Sequence, residues 1–175
     1  MMEYTEINYS MIKTDDTVGL DFTAGKLVAL LTEKKLKIAT AESCTGGLVA
    51  DAIISVPGAS LVFDAGVISY ANRIKESVLG VRAQTLANFG AVSPQCAAEM
   101  AEGIRERMGA DVGISTTGIA GPGGGTPDKP VGLVYVGVAK QNKITVFHLQ
   151  LSGNRREIRE KTVKIAVSCA ISEIL

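Results

Sequence analysis

Between Leu36 and Leu151, short runs of β-branched and apolar residues alternate with stretches whose apolar positions recur at helical spacing. That alternation excludes most architectures, because strands separated by helices pair in parallel and need helices over both faces of their sheet. The strand candidates are Leu36–Ala39, Ala65–Tyr70, Asp111–Thr116, Val131–Ala139 and Ile144–Leu151. Only Lys140-Gln141-Asn142-Lys143 separates the last two, which fits an antiparallel hairpin. The first helix is expected from Thr23, a candidate N-cap, through Leu27, Val28, Leu30 and Leu31 to the basic pair Lys34-Lys35. Further helices fall at Leu48–Ile54, at Asn72–Leu79 with Asn72 as cap and Gly80 as stop, and in a short piece at Thr85–Gly90. Ser93-Pro94 starts a longer helix that Gly109 ends, and Ser152-Gly153-Asn154 opens the last, Arg155 to about Ile174. The expected fold is a three-layer α/β/α domain with a mixed sheet and a late antiparallel hairpin.

At 175 residues the chain reads as one domain, residues 24–175, after an N-terminal extension, residues 1–23, to which no order is assigned and which is free to dock on a neighbour. Lys plus Arg (18) balances Asp plus Glu (18), so no global field favours nucleic acid or an anionic membrane, and small molecules or proteins are the expected partners. No apolar run approaches the ~18 residues of a transmembrane helix, and the first residues lack the basic and apolar regions of a signal peptide. Cys44, Cys96 and Cys169 form neither a disulfide framework nor a metal-binding pair. A reducing, cytoplasmic setting is therefore expected, with no metal and no cofactor.

The polar cluster Ala39-Thr40-Ala41-Glu42-Ser43-Cys44-Thr45-Gly46-Gly47 lies at a strand-to-helix junction. A helix opening there presents backbone N–H groups that lack intrahelical partners and suit an anion or oxyanion. Ser43, Cys44 and Thr45 put three candidate nucleophiles or hydroxyl donors beside those amides. Simple capping by Ser43 or Thr45, with Gly46-Gly47 allowing close packing, accounts for the same residues equally well.

The loop Thr117–Pro130 matches neither nucleotide-binding signature. It has no GxxxxGK[ST], and Thr126 stands where the third Gly of a dinucleotide fingerprint would fall. It is either a flexible connector or a functional loop bordering a site. The single His148 lies within a hairpin strand and would need partners that the sequence does not supply; without a histidine, a Ser nucleophile can still be activated by a neutral Lys. Lys75, five residues beyond Tyr70, is the candidate; a solvated surface lysine is the plain alternative. Arg155, Arg156 and Arg159 crowd a helix start where the macrodipole disfavours cations, so nearby anions must offset them, either a bound phosphate or Glu157 and Glu160.

Several linked segments carry a resemblance: Thr40–Gly47, Tyr70-Ala71-Asn72-Arg73-Ile74-Lys75 with Leu79-Gly80-Val81, Gly90-Ala91-Val92-Ser93, and Thr117–Pro122 with Lys129-Pro130-Val131-Gly132. In this order they resemble the CinA C-terminal domain family over about residues 24–175. The resemblance implies a nicotinamide-nucleotide amidohydrolase of pyridine nucleotide salvage, converting nicotinamide mononucleotide and water to nicotinic acid mononucleotide and ammonia. It further implies Ser43 as nucleophile, Lys75 as its base and Tyr70 as a hydrogen-bonding partner of that pair. The Thr117-Gly118 turn and the backbone amides of Ser43 to Gly46 would shape the nucleotide and oxyanion pocket, with Thr45, Gly46, Gly47, Thr117 and Gly118 as substrate-binding residues; the cation crowding at the last helix adds Arg155 or Arg159 as the phosphate contact. A homo-oligomer is expected. Full-length relatives carry a further N-terminal nucleotide-hydrolase domain, and no such activity is assigned to residues 1–23. A nucleotide-binding or regulatory module without turnover is the alternative, and it would need only the Gly-rich loop and Arg155 or Arg159.

Overall fold

A computed structural model describes residues 3–8 and 19–175. Six strands form one sheet in the order β1-β6-β5-β4-β2-β3, comprising β1 Thr5–Asn8, β2 Ile38–Glu42, β3 Phe63–Ile68, β4 Val112–Gly118, β5 Leu133–Lys140 and β6 Lys143–Gln150. The helices are α1 Leu20–Lys34, α2 Leu48–Ile54, α3 Asn72–Leu79, α4 Ala83–Phe89, α5 Pro94–Met108 and α6 Arg155–Ile174. β2 runs parallel to β3 and β4, while β5 is antiparallel to both β4 and β6. The fold is the expected three-layer α/β/α domain with a mixed sheet. No helix among the described residues is long and apolar enough to cross a membrane.

The alternation of β5 explains the layers. Val134, Val136 and Val138 join α1, α2 and α6 in one core, which includes Leu27, Leu31, Val49, Ile158 and Ala166. Leu133, Tyr135 and Ala139 face α5 and its Ala97, Ala98 and Ala101. Beside them, Leu79 of α3 packs with Cys96, Met100 and Ile104 under β2. α5 approaches unusually closely because small residues line both sides of the contact. A Cβ at Gly113 would lie 2.1 Å from the Ala101 carbonyl, so this crossing tolerates nothing larger than glycine.

Several boundaries differ from the sequence reading. α1 begins at Leu20 with Gly19 as N-cap, and the Thr23 hydroxyl donates to the Gly19 carbonyl from within the helix rather than capping it. β2 starts and ends later than Leu36–Ala39, so Glu42 closes the strand. β3 ends at Ile68, before Tyr70, and Asn72 is the first residue of α3, which Ala71 precedes without a side-chain cap. In the extension, Thr5–Asn8 pairs in parallel with β6 and so docks on its own sheet; the expectations for residues 1, 2 and 9–18 lie outside the described residues. Its polar edge pattern hid it, because an exposed edge strand needs no apolar run.

Candidate active site

The three parallel strands β2, β3 and β4 deliver their carboxyl ends to one edge, and α6 opens there after the hairpin. Ser43 continues the ladder one residue past β2, its N–H donating to the Thr116 carbonyl at 2.9 Å. Ser69 does the same past β3, donating its N–H to the Glu42 carbonyl at 2.8 Å. The chain then turns into α3, whose Lys75 reaches back to both strand ends. Its Nζ lies 2.5 Å from the Ser69 carbonyl oxygen and 3.0 Å from Ser43 Oγ.

Lys75 is 1% exposed. Burial lowers its pKa from the ordinary lysine value, because the ammonium form has lost its hydration; negative charge on Cys96 and Cys44 would act in the opposite direction. That opposition is absent near neutrality. Burial raises both thiols to about 12, so each is uncharged there. Lys75 is thus a buried amine whose pKa lies below the ordinary lysine value, oriented by a backbone carbonyl toward a serine hydroxyl.

The junction after β2 is not held as the sequence suggested. Neither Ser43 nor Thr45 caps α2; Gly47 is the N-cap, and the buried Glu42 carboxylate takes the N–H groups of Gly47, Val49 and Ala50 at 2.9, 3.1 and 2.8 Å. Gly46 and Gly47, at φ +61° and +99°, turn the chain back so that this is possible. The Thr45 hydroxyl donates to Glu42 at 2.6 Å and shares a 2.7 Å hydrogen bond with Thr116. The amides of Gly47, Val49 and Ala50, at the helix opening that suited an oxyanion, are therefore engaged internally. Glu42→Gln should lower stability by about 2–3 kcal/mol, since an amide presents only one acceptor oxygen to four converging donors. A fall of ~5–10 °C in the thermal midpoint is the corresponding readout, and an unchanged midpoint would show that the carboxylate is dispensable.

The remaining expected residues are split among three places. Tyr70 is 65% exposed, and its hydroxyl accepts from Arg155 Nη2 at 3.1 Å rather than bonding to Ser43 or Lys75. Arg155 Nη1 donates to the Gly121 carbonyl at 2.8 Å, so Arg155 joins Tyr70, in the β3–α3 turn, to the Gly-rich loop. The Thr117 hydroxyl donates to the Ala91 carbonyl, and Gly118 ends β4, where a Cβ would lie 2.7 Å from the Leu133 carbonyl. Arg159 donates through Nε and Nη2 to the Cys44 and Thr45 carbonyls at 3.1 and 2.7 Å. Arg156 pairs with Glu160, while Asn154 and Glu157 form a capping box, so side chains offset part of the cationic crowding at the start of α6.

The loop from Gly121 to Pro130 is anchored rather than loose. Lys129 Nζ donates to the Phe89 and Val92 carbonyls at 2.6 and 2.8 Å, fixing the loop to the end of α4. His148 lies on β6 with its ring 5.0 Å from that of Tyr135 and Nδ1 3.6 Å from Glu6, away from the serine and lysine.

The family model for the CinA C-terminal domain matches residues 21–174. The chain belongs to that family. A competence-damage inducible protein of Thermoanaerobacter pseudethanolicus is 58% identical over 137 residues, 78% of this chain and 33% of the relative. A CinA-like protein of Kosmotoga olearia is 53% identical over 150 residues, 86% of this chain and 36% of its own. The chain thus spans about a third of the length of these relatives. Among solved structures, a competence/damage inducible protein from Agrobacterium tumefaciens superposes with a TM-score of 0.86 at 40% identity, covering 91% of this chain and 98% of that one. A CinA superfamily protein from Escherichia coli reaches 0.89 at 30% identity, covering 97% and 99%.

Two residues of this CinA-family site went unassigned in the sequence. Glu42 had a signal, an acidic residue at a strand end just before Gly-Gly and a helix, but Ser and Thr nearby drew the capping role. Ser69 had none, because it holds Lys75 through a carbonyl that every residue type possesses.

Proposed function

We propose that this domain is an amidohydrolase that converts nicotinamide mononucleotide to nicotinic acid mononucleotide and ammonia, with Ser43 as nucleophile and Lys75 as base. The observation that carries the reading is the 3.0 Å contact of Ser43 Oγ with a lysine amine only 1% exposed. The family resemblance supplies the substrate. Ser43 Oγ attacks the carboxamide carbon as its proton passes to neutral Nζ, and the carbonyl electron pair moves onto oxygen. Collapse of the tetrahedral intermediate breaks the C–N bond. The leaving nitrogen takes the proton from Nζ and departs as ammonia, leaving a nicotinoyl ester on Ser43. Water then attacks the ester with Nζ again accepting a proton, and Ser43 recovers that proton as the acid leaves.

Tyr70 and Arg155 are exposed and hydrogen-bonded to each other beyond the strand end that leads to Lys75, and Arg155 is the proposed phosphate contact. Arg155→Ala should raise KM for nicotinamide mononucleotide about tenfold or more while changing little for the dephosphorylated nucleoside. Equal effects on both would remove Arg155 from phosphate recognition. Ammonia release from nicotinamide mononucleotide by the purified protein, measured with EDTA present, tests the activity itself. Nucleotide binding without ammonia would favour a regulatory module instead.

A further inference from the structure

We propose that Arg159 is a positioning residue, which fixes the loop carrying Ser43 so that two consecutive backbone amides form the oxyanion site. The proposal rests on Ser43 being the nucleophile. A trans peptide is planar, with its C=O and N–H pointing in opposite directions. The Cys44 carbonyl shares its plane with the Thr45 N–H, and the Thr45 carbonyl with the Gly46 N–H. One guanidinium gathers both carbonyls, through Nε at 3.1 Å and Nη2 at 2.7 Å, so both amides face away from Arg159.

Three further observations give that orientation a use. From Ser43 to Ala50 the Cys44, Thr45, Gly46 and Leu48 N–H groups have no acceptor among the described residues, whereas the Ser43 N–H is taken by Thr116 and those of Gly47, Val49 and Ala50 by Glu42. Of the four, those of Thr45 and Gly46 share peptide planes with the carbonyls that Arg159 holds. Gly46 is left-handed at φ +61°, the conformation in which successive amides converge on an anion. Arg159 also approaches from α6, in the layer that buries Cys44, while Lys75 approaches from α3 in the opposite layer beside Leu79 and Cys96. Turning the amides away from Arg159 therefore turns them toward the layer that holds the base.

The loop is held by matched charge. A carboxylate collects the N–H groups of one segment and a guanidinium collects the carbonyls of the other. With Nε and Nη2 committed to the protein backbone, Arg159 serves the developing oxyanion through peptide planes rather than by touching the substrate.

The experiment compares wild type, Arg159→Ala and Arg159→Lys by two measurements. One is kcat and KM for nicotinamide mononucleotide and for its dephosphorylated nucleoside. The other is the rate at which a fluorophosphonate, whose phosphoryl oxygen must occupy the oxyanion site, labels Ser43 as located by mass spectrometry. Arg159→Ala should lower kcat about 100-fold, equally for both substrates and with KM nearly constant, and should slow labelling in parallel. Arg159→Lys, with one ammonium in place of a fork, should fall between them; it also provides the reading if the alanine variant does not fold. A rise in KM confined to the phosphorylated substrate, with labelling at the wild-type rate, would overturn the proposal and make Arg159 a phosphate ligand. If wild type releases no ammonia and its Ser43 is not labelled, the nucleophile assignment has failed and this role fails with it.

Discussion

Ser43→Ala is expected to reduce ammonia release on the order of 10⁴-fold or more while nucleotide affinity stays within a few-fold, and Cys44→Ala is expected to remain active. The scale is that of removing a hydrolase nucleophile, where only binding and oxyanion stabilisation survive. A thiolate is intrinsically the stronger nucleophile, so the neighbouring cysteine is a real competitor. Its surroundings remove it. Cys44 is 7% exposed, packs in the core with residues of α2 and α6, and has its thiol pushed up to about 12. At pH 7 such a thiol is only about one part in 10⁵ thiolate. Ser43, by contrast, is half-buried and has a buried amine 3.0 Å from its oxygen. Steady-state ammonia assays paired with calorimetric binding would separate the residues; an inactive Cys44→Ala beside an active Ser43→Ala would reverse the assignment.

The site was legible where side-chain chemistry does the work and illegible where the backbone does. Residue type and placement made Ser43 and Lys75 candidates, a serine at a strand end and a lysine one short helix beyond the next strand, but capping, Cys44 and a surface lysine stayed open until the CinA resemblance chose between them. The structure shows that they meet. Tyr70 was placed too deep because the strand before it was read too long. β3 stops at Ile68, and Ser69 rather than Tyr70 lies beside the amine. The arginines were read for their charge alone. What they hold in the structure is mostly carbonyl oxygen, at Cys44, Thr45 and Gly121, and no residue type advertises a carbonyl. The layers followed from periodicity, whereas the polar edge strand Thr5–Asn8 had no periodicity to read.

Lys75→Arg and Lys75→Met are both expected to lower kcat about 10³-fold or more, for different reasons that one experiment can separate. Arginine keeps a cation but cannot release a proton near neutrality, and methionine fills the space with no charge or lone pair. If an electrostatic role sufficed, arginine would rescue; near-wild-type turnover by Lys75→Arg would therefore end the base assignment. In wild type, kcat/KM should show an acidic limb as Lys75 gains its proton, centred below the ordinary value of 10.5 because burial disfavours the ammonium. The same shift fixes the sign of a stability effect. Between the lowered folded pKa and 10.5, the unfolded chain binds the extra proton, so wild-type stability contributed by Lys75 rises with pH across that window and is flat on either side. Lys75→Met has no such group. Denaturant titrations of the two proteins should therefore diverge in favour of wild type as pH rises through the window, even if methionine is the more stable at its acidic end. A gap that stays constant, or closes with rising pH, would mean that Lys75 is not held as a depressed-pKa amine, and the proton from Ser43 would need another acceptor.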